Sequence, residues 1–332
     1  SAEQDDLVRV LSHLRDARSA FGHDHPNLSA ALRCVGSSLG DREDHERALP
    51  FLLESVRIKK AEAKAASSNM SNKNKGKKDE QEVQMPPGAD SIVALNALGE
   101  CYHGLGKLEE ARKCYDEVRR AFKSTGPSGL KRALKEARQA SIRAEKDTTG
   151  ATSPPSCTVS SIRFIFAVTL YNGGRVLFEL GRREESAGYF GDALSLAETV
   201  VKCASSSPRI RVDRHRDDPE GARNHLLECA SLMHNVGQYE AELGRTTAAL
   251  RCLSSALDVR KESLAEHPAQ LAEASETLYQ LGGLKRKVGD EEGAWECYAE
   301  CLRVESPETN PGRVAAVLHR MAQIRYELRE PE

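Results

Sequence analysis

The stretch LGECYHGLGKLEEARKCYDEV, residues 98–118, decides how this chain folds. It sets Gly99, Gly106, Ala111, Tyr115 and Val118 at steps of 7, 5, 4 and 3 residues. The same steps return in Gly174, Gly181, Ser186, Phe190 and Ala193, in Gly237, Gly244, Ala249, Leu253 and Ala256, and in Gly282, Gly289, Ala294, Tyr298 and Cys301. A weaker copy runs Gly36, Glu43, Ala48, Leu52 and Ser55. Five matches to one five-point template mark an internal repeat. Such repeats build binding surfaces far more often than catalytic centres.

Each point of the template has a mechanical reason. A residue without a side chain at Gly99, Gly174, Gly237 or Gly282 lets a second helix lie close on the first. That packing must outweigh the roughly 1 kcal/mol that a mid-helix Gly costs against Ala. Seven residues on, Gly106, Gly181, Gly244 and Gly289 fall where the first helix should end, in the place of a left-handed cap. The second helix then presents a small residue, a large one four later and a small one three after that, all on one face. A helix pair of this kind cannot bury its apolar face alone and must stack on its neighbours.

The pattern resembles the tetratricopeptide repeat over most of residues 29–328. The resemblance implies an all-α, right-handed superhelix, an α-α solenoid of about five helix pairs with a partial helix at each end. Copies start near residues 29, 92, 167, 230 and 275, with a sixth first helix near 315. The usual unit is about 34 residues, so the surplus must lie in long helices or in loops. The expected layout is a partial repeat helix in 1–22, repeats in 23–66, 91–123, 161–203, 220–266 and 267–306, and a partial sixth in 307–332. Between them come a Lys-rich disordered insertion in 67–90, a second insertion in 124–160 with a basic helix and a Pro/Ser loop, and a basic loop in 204–219. Leu7, Val10, Leu11, Leu14 and Ala17 read as a second helix without its first. Val317, Leu318, Met321, Ile324 and Leu328 read as a first helix without its second. With Ser1 at the start, this predicts a piece of a longer protein.

Within that class the chain is similar in style to the kinesin light chain type. His25-Pro26 stands ahead of Leu28, Leu32 and Val35, and His267-Pro268 ahead of Leu271, Leu278 and Leu281. Asn96, Asn172 and Asn235 fall on or beside the groove asparagines of that family. The second His-Pro lies a helical turn too far upstream, and the other repeats lack it. The two-carboxylate clamp of chaperone-binding relatives calls for Lys and Asn where this chain has Arg33 and Ser37, which counts against that function.

Composition excludes several classes. Charged residues make up 30%, apolar 39% and aromatic 5%, as in a solenoid that spreads a thin core along its length. A net charge of −2 exerts no global pull toward nucleic acid or anionic membrane. The most apolar run, Phe164 to Leu170, is flanked by Arg163, Asn172 and Arg175 and reads as a buried helix rather than a membrane span. The nine cysteines contain no CxxC pair and read as small buried hydrophobes, reduced in a cytosol-like compartment. The basic loops carry no aromatic residue for base stacking, so they read as solvated, with an electrostatic contact to an acidic partner as the alternative.

No enzyme motif is present: there is no GxxxxGK[ST], GxSxG, HExxH or GxGxxG. His23-Asp24-His25 is followed by Pro26, a helix-start signal, rather than by further metal ligands. Glu109-Glu110, Glu184-Glu185 and Glu291-Glu292 follow the cap glycines, where negative charge favours a helix N-terminus.

In the fold that the resemblance implies, the first helix of each pair lines a concave groove. Carried onto this sequence, the groove positions are Arg33 and Ser37, Asn96 and Glu100, then Tyr171, Asn172 and Arg175. Further on they are His234, Asn235 and Gln238, then Tyr279, Gln280 and Arg286, then His319, Arg320 and Gln323. The candidate peptide-binding residues are Asn96, Tyr171, Asn172, Arg175, His234, Asn235, Tyr279, Gln280 and Arg286. Carboxamides bond an extended backbone without reading its sequence, and Arg175 and Arg286 favour acidic peptides. The expectation is a non-catalytic, cytoplasmic protein–protein interaction scaffold or adaptor that holds an extended peptide or partner segment. It expects no cofactor, metal, small-molecule substrate, nucleic acid or membrane span. The alternatives are a regulatory or targeting region of a larger enzyme and a constitutive subunit of a large assembly.

Overall fold

A computed structural model describes residues 2–22, 25–73, 89–123, 159–205, 219–263, 270–305, 308 and 310–329. Among these, every regular element is a helix. In chain order they are α1 (Ala2–Phe21), α2 (Pro26–Gly40), α3 (His45–Lys73), α4 (Ala89–Gly104), α5 (108–123) and α6 (Val159–Glu179). They continue with α7 (Arg183–Ser205), α8 (Pro219–Glu242), α9 (Thr246–Ser263), α10 (Gln270–Lys287), α11 (Glu291–Val304) and α12 (Pro311–Arg329). The chain forms two compact units, Ser1–Tyr189 and Phe190–Glu332.

Five of the inter-helix turns are built alike. Gly106, Gly181, Gly244 and Gly289 have φ between 68° and 82°. The Gly106 N–H donates to His103 O and the Lys107 N–H to Tyr102 O, both at 2.9 Å. This paired bond satisfies carbonyls that a helix end would otherwise leave open. The same two bonds recur at Gly181–Arg182, Gly244–Arg245 and Gly289–Asp290. The fifth turn has Glu43 at φ 62°, with its N–H on Gly40 O at 2.8 Å and the Asp44 N–H on Leu39 O at 3.0 Å. A residue with a Cβ is strained in the left-handed region by about 1–2 kcal/mol. Part of that is returned by its smaller entropy in the unfolded chain. Glu43→Gly is therefore expected to stabilise the first unit by about 0.5–1 kcal/mol, read as a raised midpoint in urea unfolding. A lowered midpoint would refute the strain argument.

In the first unit α2 packs on α3, and α4 on α3 and α6. The template's first point meets its fourth. A Cβ on Gly36 would lie 2.5 Å from Leu52, and one on Gly99 only 2.6 Å from the Tyr115 ring. In the third copy it is Gly173, one residue before the template glycine, on which a Cβ would lie 2.6 Å from the Tyr189 ring. Tyr189 donates its hydroxyl to Asp116 and carries the Arg119 guanidinium over its ring at 4.1 Å. Polar bonds also cross the pairs: Ser29 and Ser55 exchange hydroxyl-to-carbonyl bonds at 3.1 and 2.9 Å, and Ser186 Oγ donates to Gly174 O at 2.8 Å. Helix α3 runs to Lys73, past the expected stop at Ala66: the Ala/Lys/Glu-rich run of residues 59–66 has high helix propensity, and the helix continues through the Ser/Asn-rich residues 67–73. Residues 74–88 of that insertion and the basic helix expected near 130–146 lie outside the described residues, and residues 89–90 already belong to α4.

In the second unit α8 packs on α9, α10 on α9 and α11, and α11 on α12. A Cβ on Gly237 would lie 2.8 Å from Leu253, and one on Gly282 2.6 Å from the Tyr298 ring. One core joins Ala249, Leu253, Leu278, Leu281, Ala294, Tyr298, Val317 and Ile324. Asp290 caps α11 by accepting from the Gly293 N–H at 2.9 Å.

Six cysteines (Cys101, Cys114, Cys229, Cys252, Cys297 and Cys301) are buried. Desolvation pushes the Cys114 and Cys229 thiols up to about 12 and Cys252 to about 11, so they remain unreactive thiols at neutral pH. Cys34 and Cys203 correct the sequence reading: both are exposed, on α2 and α7. Cys157 lies outside the described residues.

Candidate functional site

In the first unit the expected groove positions of α4 and α6 meet. Asn172 is only 8% exposed, and its amide donates to Asn96 Oδ1 at 3.2 Å and Glu100 Oε1 at 2.8 Å. Asn96 Nδ2 reaches the same carboxylate oxygen at 3.1 Å. Desolvation raises the Glu100 pKa; the two asparagine bonds and the Arg175 charge oppose it, and Asp41 adds to it. Arg175 lies 5.8 Å from the Tyr171 ring centre. With both amide protons engaged, Asn172 ties α6 to α4 rather than offering donors to a ligand. Arg33 and Ser37 are half-buried on α2 and make no hydrogen bond to this cluster among the described residues.

In the second unit α8, α10 and α12 line an open cleft of about 710 Å³. Gln238, Glu242, Tyr279, Gln280, Arg286, Lys287 and Arg320 border it. The Gln280 amide donates to Glu276 Oε1 at 2.8 Å, and its carbonyl oxygen accepts no hydrogen bond among the described residues. Tyr279 packs at 6.0 Å from Tyr298, and the Arg313 guanidinium stands 4.6 Å over its ring. Asn235 is half-buried and makes no hydrogen bond among the described residues. Arg286 is occupied: it donates to Gln323 Oε1 at 2.8 Å and to Glu327, with Glu291 at 3.8 Å from its Nε. His319 and Arg320 are exposed on α12, and both touch Gln323, at 3.0 and 3.4 Å.

His234 departs from the sequence reading. That reading places it in the groove, but its ring is 7% exposed and lies within a buried polar network. The Gln238 amide sits 3.1 Å from His234 Nε2, so the ring accepts there. The proton then lies on Nδ1 and is donated to Thr277 Oγ1 at 3.1 Å. Thr277 in turn accepts from Arg260 and donates to Glu273 O. Arg260, 3% exposed, reaches Glu273 Oε2 at 2.9 Å and Ser231 Oγ at 3.3 Å. Burial and then the Arg260 charge pull the His234 pKa down to about 4, so the ring is neutral at neutral pH. His234 therefore fixes the Gln238 amide, and the Gln238 carbonyl oxygen accepts no hydrogen bond among the described residues.

Sequence reasoning missed Glu242, Lys287 and Tyr298 at the cleft, and the Arg260 network behind it. One signal for Arg260 was present. It stands seven residues after Leu253 and four after Ala256, on the apolar face of α9, where a charge must find partners. Among the described residues no three His, Cys, Asp or Glu side chains converge as a metal would need. No described helix is long and apolar enough to cross a membrane.

Paired helices with left-handed caps, glycine saddles and stacked neighbours define the class: a helical-repeat solenoid. The tetratricopeptide repeat family profiles match residues 92–118, 166–208 and 229–269, so the chain carries tetratricopeptide repeats in those segments. The structure of BtubC (BKLC) from P. vanneervenii shares this fold at 16% identity, with 92% of this chain and 91% of that one covered and a TM-score of 0.53. A Podosopora anserina putative kinesin light chain with nearly identical TPR-like repeats is 13% identical, covering 86% and 98%, with a TM-score of 0.45. YrrB, described as a TPR protein with an unusual peptide-binding site, is 14% identical, covering 92% and 96%, with a TM-score of 0.42. No curated protein matches the chain at a significant level.

Proposed function

We propose that this protein is a non-catalytic interaction scaffold and that the α8–α10–α12 cleft receives an extended, acidic segment of a partner protein. The observation that supports this most is the cleft's chemistry. Two carboxamide oxygens, at Gln238 and Gln280, are suited to backbone N–H groups, and Lys287 and Arg320 stand on the same walls as Tyr279. Acceptors for a backbone, cations for side chains and an aromatic surface suit a peptide better than a small substrate. The Asn96–Asn172–Glu100 cluster has a structural role in this reading.

The test is calorimetric titration with a short alternating Glu/Ala peptide and its Gln/Ala counterpart. The wild-type chain should prefer the acidic peptide. A Lys287→Glu/Arg320→Glu variant of unchanged helicity should lose at least about tenfold in affinity, because a reversed charge pair acts on both attraction and encounter. Equal binding of both peptides, or an unaffected variant, would reject the proposal.

A further inference from the structure

Arg286 borders the cleft, yet this chain's own carboxylate already holds it. On α12, His319, Gln323 and Glu327 stand four residues apart, which puts them in one row along one helix face. The last two members of that row bind Arg286: Gln323 Oε1 accepts from its Nη1 at 2.8 Å, and Glu327 accepts from its Nη2. A second carboxylate lies near the same guanidinium. Glu291 lies 3.8 Å from Arg286 Nε, and its Oε2 is buried without a hydrogen-bond partner among the described residues. The two carboxylates differ in their freedom to leave. The Glu327 side chain is 54% exposed, whereas that of Glu291 is 29% exposed and rooted in the first turn of α11.

We infer that Glu327 is a built-in competitor: it occupies Arg286 in the way a partner's carboxylate would, and an acidic partner segment binds by displacing it. This rests on the peptide reading of the same cleft and adds which bond must be exchanged. The physics makes the exchange cheap. A solvent-exposed ion pair contributes little net stability, so releasing Glu327 to water sacrifices little. Arg286 keeps a charge partner in Glu291 while the exchange occurs. The guanidinium fork stays oriented by Gln323, so an incoming carboxylate meets a donor already in place. The contact also acts as a filter. A neutral segment displaces Glu327 poorly, because it would replace a hydrogen-bonded carboxylate by a neutral group and leave the guanidinium only the longer 3.8 Å contact with Glu291.

The experiment uses the same Glu/Ala and Gln/Ala peptides on the full chain at one fixed ionic strength. Glu327→Ala should tighten binding of the acidic peptide about threefold to fivefold over wild type, the range an exposed ion pair supports. It should leave the neutral peptide unchanged. Glu262→Ala removes the same charge from α9, away from Arg286, and should give no gain. Adding Arg286→Gln to Glu327→Ala should abolish the gain. If wild type and Glu327→Ala both fail to bind the acidic peptide, the cleft reading itself falls, and this inference with it. If wild type binds but Glu327→Ala binds equally or less tightly, or Glu262→Ala gains as much, the competitor inference alone is overturned.

Discussion

Tyr115→Ala should destabilise the first unit by about 3–5 kcal/mol, the range for deleting a buried aromatic ring. Tyr115 is 1% exposed and fills the saddle at Gly99, and its Cβ lies 2.9 Å from where a Cβ on Gly173 would stand. One ring therefore fills space between α5 and two first helices, α4 and α6. Burial also holds its phenol well above the usual range, so the group stays neutral. Tyr115→Phe keeps the ring and should cost about 1 kcal/mol or less, the scale of one net hydrogen bond. The measurement is urea unfolding, with hydrogen exchange of α4 and α5 amides to place the loss. If the Phe and Ala variants lose equally, the ring's volume is not what holds the saddle together.

The second unit should lose stability as pH falls from about 6.5 to about 4, and His234 should account for as much as about 3 kcal/mol of that. The folded ring titrates near 4, below the ordinary value of 6.5, because it is buried and faces the Arg260 guanidinium. The unfolded chain therefore takes up the proton first. The stabilisation is complete above about pH 6.5, shrinks as pH falls and levels off below about 4. A His234→Gln variant removes the titrating group, so the stability difference between it and wild type should narrow across that window. A difference that stays constant with pH would mean that His234 does not titrate as its surroundings require. Carboxylates that titrate in the same range affect both proteins and drop out of the comparison.

The repeat architecture was legible because each template point answers to a local constraint. Gly106, Gly181, Gly244 and Gly289 are needed where φ is positive, and that need is written in the residue type itself. The pairing of Gly99 with Tyr115, or Gly282 with Tyr298, follows from a turn of fixed geometry joining two helices of regular pitch. In the weak copy Glu43 adopts the left-handed conformation that glycine takes elsewhere.

The candidate site was legible only as a set of first-helix positions. Gln238, Tyr279, Gln280, Arg286 and Arg320 do border one cleft, and a helical period suffices to place them there. Their state was not legible. Whether His234 faces solvent or is buried depends on Arg260 of α9 and Thr277 of α10, which are 26 and 43 residues away. Whether Arg286 is available depends on Glu327 of α12, 41 residues away. By itself the sequence determined the helix pairs, their caps and which residues could face the groove, because those follow from short-range geometry. Only the tertiary structure decided which polar side chains remain for a partner and which already satisfy one another, because desolvation and charge pairing depend on neighbours that chain spacing does not specify.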